Sequence, residues 1–390
     1  MNSKKYYKIG IDVLADVPGQ SGAVNVHRNL LKYLPPLEPN WTFYVFCTPR
    51  LEKYYKEHGA RHKNIKWIYC WADNNDGSLK RIMIQEVQIP YFAVRYNLHC
   101  LIARPQPFIF PFLKIPSIYR YTTTIPNTFH SLKEIYVKYK ILFSAISAKG
   151  VLCSSNTALK NLESSLNKKI KKSFVIWESF DEEIFSKNIY ELRKFIHSDL
   201  AFISNCVKKV ILVPTGIQRR KNSIVVFEAI EKLLKENISD FIVVFMGRNE
   251  RIYLNIIKER YKHLLNKNVI FITGFRSHYE LAFVAKYAMI AIYPSKNETF
   301  GVPPLEMMYC GVPTIASNIE TIIEISGGGV LLFNPNSSDD LAQCIKLLLK
   351  NKEKRMMLAK NGNAHVQKYS WEQSIIKTRD AIKSIISNRN

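Results

Sequence analysis

The chain lacks any Cys-x-x-Cys pair. Its seven cysteines (Cys47, Cys70, Cys100, Cys153, Cys206, Cys310 and Cys344) are scattered over 390 residues. That spacing argues against a zinc ribbon or a disulfide framework and fits a reducing cytosol. No apolar run reaches the roughly 18 residues needed to span a bilayer, and the stretch Met1–Asp12 has no signal-peptide core. The expectation is a cytosolic chain, or one held on a membrane surface. There is no internal repeat and no low-complexity tract. Gly-x-Gly-x-x-Gly is missing after the first apolar run, which counts against a dinucleotide-dependent oxidoreductase.

What is present suits two domains. The length exceeds the usual single domain, and 47% apolar residues can fill two cores. The net charge of +24 is uneven. Residues 1–172 hold 26 Lys and Arg against 10 Asp and Glu, a balance of +16, and the remainder holds 30 against 22, a balance of +8. The N-terminal half therefore faces something acidic: anionic lipid, a lipid-linked diphosphate or nucleic acid. The alternative is a lysine-rich compositional bias.

Short apolar runs alternate with helical periodicity. Strands are expected at Lys8–Asp12, Thr42–Cys47 and Ile65–Tyr69, with a helix from Val24 to Leu34 ended by Pro35-Pro36. The stretch 186–206 reads as a polar connection. Beyond it, runs at Val210–Val213, Phe241–Met246, Val269–Thr273, Met289–Tyr293, Thr314–Ala316 and Val330–Phe333 are separated by helical patterns. This is the alternation of doubly wound α/β domains. A final helix is expected over 372–390.

The most informative segment is Ser295-Lys-Asn-Glu298-Thr-Phe300-Gly301-Val302-Pro-Pro304-Leu-Glu306. A buried strand, a sharp loop and a helix starting near Pro303-Pro304 are expected in that order. Ligands bind at such strand ends in open α/β sheets. Gly301 lets the backbone approach a ligand, and free N–H groups at the helix start can hold phosphate. Glu298 and Glu306 can accept hydrogen bonds from hydroxyls. A capped helix bearing two solvated acids is the alternative. A second loop, Pro214-Thr-Gly216-Ile-Gln-Arg219-Arg220-Lys221-Asn222, follows another strand and precedes a helix starting at Ser223. Fixed cations there suit a diphosphate.

The first segment resembles the Glu-x7-Glu signature of retaining glycosyltransferases of family 4, through Pro294-Ser295, Glu298-Thr-Phe-Gly301, Pro303, Glu306, Gly311 and Pro313. Thr299 replaces the family's usual glycine. The second loop resembles the family's Arg-Lys-Asn motif. The resemblance implies a GT-B fold: two doubly wound Rossmann-like domains facing an interdomain cleft. The expected boundaries are 1–186 on the acceptor side, 207–370 for the nucleotide sugar, and 371–390 crossing back to the first domain.

The resemblance further implies that Glu298 contacts the donor sugar, Glu306 the ribose, and Arg220 and Lys221 the diphosphate. The expected catalytic set is Glu298, Arg220 and Lys221. The donor-binding set adds Gly22, Gly216, Phe300, Gly301, Val302 and Glu306. Ser21-Gly22 and Leu30-Leu31 resemble the family's first loop and helix, although Val24 and Asn25 depart from it. Asp-x-Asp is missing, so fixed Arg and Lys are expected to replace a metal, and no cofactor is expected. The activity implied is a hexosyltransferase (EC 2.4) of surface polysaccharide synthesis (O-antigen, capsule or exopolysaccharide). Its partners would be a nucleotide diphosphate sugar, with GDP-mannose the first choice, and a saccharide or lipid-linked acceptor, not nucleic acid.

Many family members carry a His-Asp pair where Thr122-Thr123 stands here. Either this branch works without the histidine, or His130 or Arg120 substitutes, or catalysis is impaired. The last case is the alternative reading, a non-catalytic binding or scaffold protein. His27, on a helix with a buried face, reads as structural. Basic-apolar stretches at Leu132–Phe143 and Lys168–Lys172 are candidates for contact with anionic lipid.

Overall fold

The computed structural model describes residues 6–18, 22–71, 78–122, 125 and 132–387. The chain divides into two compact units, Met1–Glu178 with Ser370–Asn390, and Ser179–Tyr369. Gly19, Ser21, Thr123, Thr124, Pro126, Asn127 and His130 lie outside the described residues.

The first unit is built on seven parallel strands: β1 (Lys8–Asp12), β2 (Thr42–Cys47), β3 (Ile65–Tyr69), β4 (Cys100–Ala103), β5 (Ser117–Tyr121), β6 (Gly150–Cys153) and β7 (Ser173–Val175). Their order is β3-β2-β1-β4-β5-β6-β7, so the chain reverses direction between β1 and β4. That reversal leaves a crevice at the carboxyl ends of these two strands. One face packs helix Gly22–Leu37 and the C-terminal helix Trp371–Ile386, whose Ile375, Ile382 and Ile385 join Ile9, Ile11 and Leu34 in a single core.

Pro35 and Pro36 do not end the first helix, which runs on to Leu37. A proline removes the N–H that would bond a carbonyl one turn back. Here the orphaned Lys32 carbonyl is met by His62 Nε2 at 2.9 Å, which lets the last turn persist.

The second unit has six parallel strands, β8 (Lys209–Val213), β9 (Phe241–Met246), β10 (Ile270–Gly274), β11 (Ala288–Tyr293), β12 (Thr314–Ser317) and β13 (Leu331–Phe333), in the order β10-β9-β8-β11-β12-β13. Its switch point lies between β8 and β11. The strands are near-continuously apolar because helices cover both faces.

The segment 186–206 is not a polar connection. It forms helix Ile189–Arg193 and a 3₁₀ helix over Ser198–Asn205, burying Leu192, Leu200 and Ile203. Phe195 stacks on Tyr279 at 4.1 Å, so apolar side chains spaced too sparsely to show a period still anchor it.

Candidate functional site

The loops after β8 and β11, on either side of the second unit's switch point, meet in one buried ion cluster. Helix Ser223–Lys235 begins after Asn222, which takes a left-handed conformation at φ 53° and donates its side-chain amide to Pro335 O at 2.8 Å. Ser223 Oγ donates to Gly216 O at 3.1 Å and accepts from Gln218 N at 3.0 Å, closing the intervening loop on itself. Gly216 packs backbone to backbone against the loop after β9. A Cβ there would stand 2.1 Å from Arg248 O and 2.5 Å from Gly247 O. Any side chain would therefore force the two loops apart.

Held this way, Arg220 and Lys221 reach the loop after β11. Lys221 Nζ lies 2.5 Å from Glu298 Oε1 and 3.0 Å from Tyr293 Oη. Glu298 Oε1 also accepts from Ser295 Oγ at 2.6 Å and Tyr293 Oη at 2.8 Å. Arg220 Nη1 sits 3.3 Å from both carboxylate oxygens. Thr321 Oγ1 donates to the Glu298 carbonyl at 2.9 Å and fixes the backbone as well. Burial alone would raise the Glu298 pKa, but Lys221 and Arg220 overcome it and hold the carboxyl at about 2. Burial pulls the Lys221 pKa down, with Glu298 opposing that shift. The short contact and the depressed carboxyl together favour the ionised pair.

This geometry divides the atoms by capacity. Oε1 of Glu298 is saturated with three short donors, whereas Oε2 holds, among the described residues, the long contact from Arg220 alone and can accept a hydroxyl. Among the described residues Arg220 bonds through Nη1, and the side chain is 50% exposed. Its remaining guanidinium edge can take a phosphate oxygen.

Gly301 caps helix Val302–Tyr309 at φ 99°, a left-handed conformation suited to glycine, with Phe300 buried just before it. Pro303 and Pro304 are the second and third residues of this helix. Of the first four positions only Val302 and Leu305 therefore carry an N–H, a poorer anion cradle than a loop-to-helix start suggests.

Glu306 is buried on the same helix. Desolvation raises its pKa to about 7, with His278 opposing and Asp181 reinforcing the rise. His278 Nδ1 lies 3.2 Å from Asp181 Oδ2. Near neutral pH this carboxyl can therefore donate or accept a hydrogen bond.

The structure thus brings Arg220, Lys221 and Glu298 together and adds four residues the sequence did not assign. Tyr293 and Ser295 had a signal, since Tyr293 ends the strand before Glu298 and Ser295 lies in the same loop as Glu298. Asp181 and His278 are 97 positions apart in the chain and had none.

In the first unit, Gly22 opens helix Gly22–Leu37, and among the described residues a Cβ there would meet Glu178 Oε2, at 3.8 Å. His27 is fully buried. Its Nδ1 lies 2.6 Å from Asp16 Oδ2, and Nε2 has no partner among the described residues. Burial lowers its pKa against the opposing pull of Asp16, and with Asp16 ionised it is Nδ1–H that donates. Asp16 also binds Arg104 at 2.7 Å and the Tyr55 hydroxyl. Arg104, Arg120, Tyr119, Thr122 and Lys140 line a cavity of about 210 Å³. Arg120, the suggested stand-in for the missing histidine, is buried in that lining. Lys140 is also buried and pairs with Glu86, so it does not face lipid as the sequence suggested. In the second basic cluster, Lys169 pairs with Glu163 at 2.7 Å, and Lys172 donates to Ser384 O at 2.6 Å.

Residues 203–365 match the family model of the glycosyl transferases group 1. O-antigen chain mannosyltransferase B of Escherichia coli is 33% identical over 110 residues, 28% of this chain and 29% of that protein. O-antigen chain mannosyltransferase RfbU of Salmonella typhimurium is 24% identical over 247 residues, covering 63% of this chain and 62% of that one. The chain thus spans less than two thirds of the length of these curated relatives.

Among solved structures, Anabaena Alr3699/HepE in complex with UDP and glucose superposes with a TM-score of 0.76 at 15% identity, over 97% of this chain and 100% of that one. A glycosyltransferase from Rickettsia africae gives 0.74 at 21%, over 98% and 99%. At these identities the superpositions establish the fold alone. By that fold, the chain is a two-domain α/β protein of the GT-B type, and its residues 203–365 match the glycosyl transferases group 1.

Proposed function

We propose that the chain is a retaining hexosyltransferase. It would move a sugar from a nucleotide diphosphate donor to a saccharide or lipid-linked acceptor of a surface polysaccharide. The observation that carries this reading is the Arg220–Lys221–Glu298 cluster at the switch point of the second unit, where cations and a hydroxyl-accepting oxygen are fixed within one another's reach. Mannosyltransferases of O-antigen chains among the relatives support GDP-mannose as the first donor to try.

Breaking the glycosyl–phosphate bond leaves negative charge on the diphosphate. Lys221 and the open edge of Arg220 stabilise that charge as it develops, without reorganising, because the loop is already locked. Glu298 Oε2 accepts a hydroxyl of the sugar, and Glu306 bonds the ribose. The leaving phosphate takes the acceptor's proton, so Glu298 and Glu306 do not act as a glycosidase acid–base pair. Fixed cations serve in place of a divalent metal.

The test is release of nucleoside diphosphate from a panel of nucleotide sugars. Turnover with one donor, lost in Glu298→Gln, is expected. No binding and no turnover across the panel would leave the alternative of a non-catalytic binding protein.

A further inference from the structure

The first unit holds a cavity of its own, where the chain reverses between β1 and β4. Open α/β sheets take their ligands at such a crevice. Ala15 follows β1, Arg104 follows β4, and Arg120 and Thr122 bracket the end of β5. Tyr136 and Lys140 of helix Leu132–Ser147 close the other side. Three cations, Arg104, Arg120 and Lys140, therefore line the space, and among the described residues no acid does.

Buried cations are ordinarily paired. The acids near this cavity are already bonded behind its wall. Asp16 accepts from Arg104 through Oδ1 and from His27 and Tyr55 through Oδ2. Asp12 accepts from Leu14 N and Gln85 Nε2, each at 3.0 Å. Glu86 accepts from Lys140 and from the Phe108 N–H. Donors are left over. The buried Arg104 Nε–H has no partner among the described residues. Arg120 is 5% exposed and makes no hydrogen bond or ion pair among them. Burial pulls its pKa below the usual value, with Glu178 opposing through space.

A guanidinium left in this state favours an oxyanion over a neutral hydroxyl, since only the anion offsets its buried charge. Size narrows the choice further. The cavity of about 210 Å³ falls short of the ~300 Å³ of a whole small-molecule pocket. It would still hold about seven waters at ~30 Å³ each. That is room for one phosphate and the atoms joined to it, and too little for a second nucleotide sugar. With the donor assigned to the second unit, this crevice remains for the acceptor, so the inference rests on the hexosyltransferase reading. We propose that the acceptor carries a phosphate group, and that Arg120, Arg104 and Lys140 bind it in this cavity.

Calorimetric titration of inorganic phosphate into the full chain tests this. Arg220→Ala is the background, because it removes a phosphate contact of the donor site. One phosphate is expected to bind that variant, and adding Arg120→Gln should weaken binding about tenfold or more. Ala15→Leu, at an exposed position on the rim, keeps every buried cation and narrows the mouth. The same loss is expected from it, and it decides the matter if melting curves show Arg120→Gln unfolded. Glucose 1-phosphate and geranyl diphosphate, titrated beside methyl glucoside, separate the sources. Both phosphates are expected to bind and to be weakened by Ala15→Leu, whereas the neutral glycoside is not expected to bind. The tighter of the two marks the acceptor as a soluble sugar phosphate or a lipid-linked diphosphate. Absence of phosphate binding, or binding unchanged by both substitutions, would overturn the proposal. So would methyl glucoside binding as tightly as glucose 1-phosphate. None of these titrations needs turnover, so their failure is distinct from failure of the donor panel.

Discussion

Lys221 and Glu298, 77 positions apart, share a 2.5 Å ion pair that ties the loop after β8 to the loop after β11. Both side chains are largely buried, and Tyr293 bonds both of them. Removing one partner strands the other charge in the interior. Lys221→Ala is therefore expected to cost about 3 kcal/mol in urea unfolding. Arg220→Ala, at a half-exposed position, should cost under about 1 kcal/mol because solvent screens it. Equal costs would mean the cluster is not organised around Lys221.

The pH dependence of stability separates the two glutamates. Glu306 has its pKa raised from 4.5 to about 7, so the folded state favours its protonated form. Its stabilising effect is complete below 4.5 and is lost as pH rises through about 7. The Glu298 pKa is depressed from 4.5 to about 2, so its contribution is present above 4.5 and lost as pH falls through about 2. Glu306→Gln should remove the loss between 4.5 and about 7, a difference of about 3 kcal/mol at most. Urea midpoints measured across that window check it, and a wild-type profile already flat there would contradict it.

Gly216→Ala is expected to destabilise by about 2 kcal/mol or more, because its methyl would meet the Arg248 carbonyl at 2.1 Å. The same shift displaces Arg220 and Lys221, so nucleotide binding should fall with it. Calorimetric titration alongside thermal melting shows whether the two losses occur together.

Asp16 anchors a buried network in the first unit with His27, Arg104 and Tyr55. Burial opposes its charge, but His27 and Arg104 pull its pKa below the usual carboxylate value. Asp16→Ala leaves Arg104 without that partner and should cost about 3 kcal/mol in urea unfolding. A change within experimental error would mean the network contributes nothing net.

Much of this was legible in the residues. The runs Lys8–Asp12, Thr42–Cys47, Ile65–Tyr69 and Phe241–Met246 are strands with the same ends as read, because each is apolar and bounded by breaks in pattern. The strand–loop–helix setting of Glu298 and the loop of Arg220 were equally plain. What stayed hidden depends on partners distant in sequence. His62 sustains a helix through two prolines, and no local signal at Pro35-Pro36 announces it. Sparse apolar residues between 186 and 206 pack only once β10 and its neighbours exist to receive them. Glu298 was read as a sugar ligand and Lys221 as a phosphate ligand. That each spends part of its capacity on the other follows only from the adjacency of β8 and β11.

The most direct measurement is calorimetric titration of GDP and UDP into the wild-type chain and into Arg220→Ala, whose half-exposed side chain can be removed without unfolding the domain. The account predicts that at least one nucleotide binds the wild type and that the substitution weakens it about tenfold or more, the loss of one charge-assisted contact to phosphate. Binding of equal strength to both proteins would contradict the assignment of the Arg220–Lys221–Glu298 cluster as the donor site.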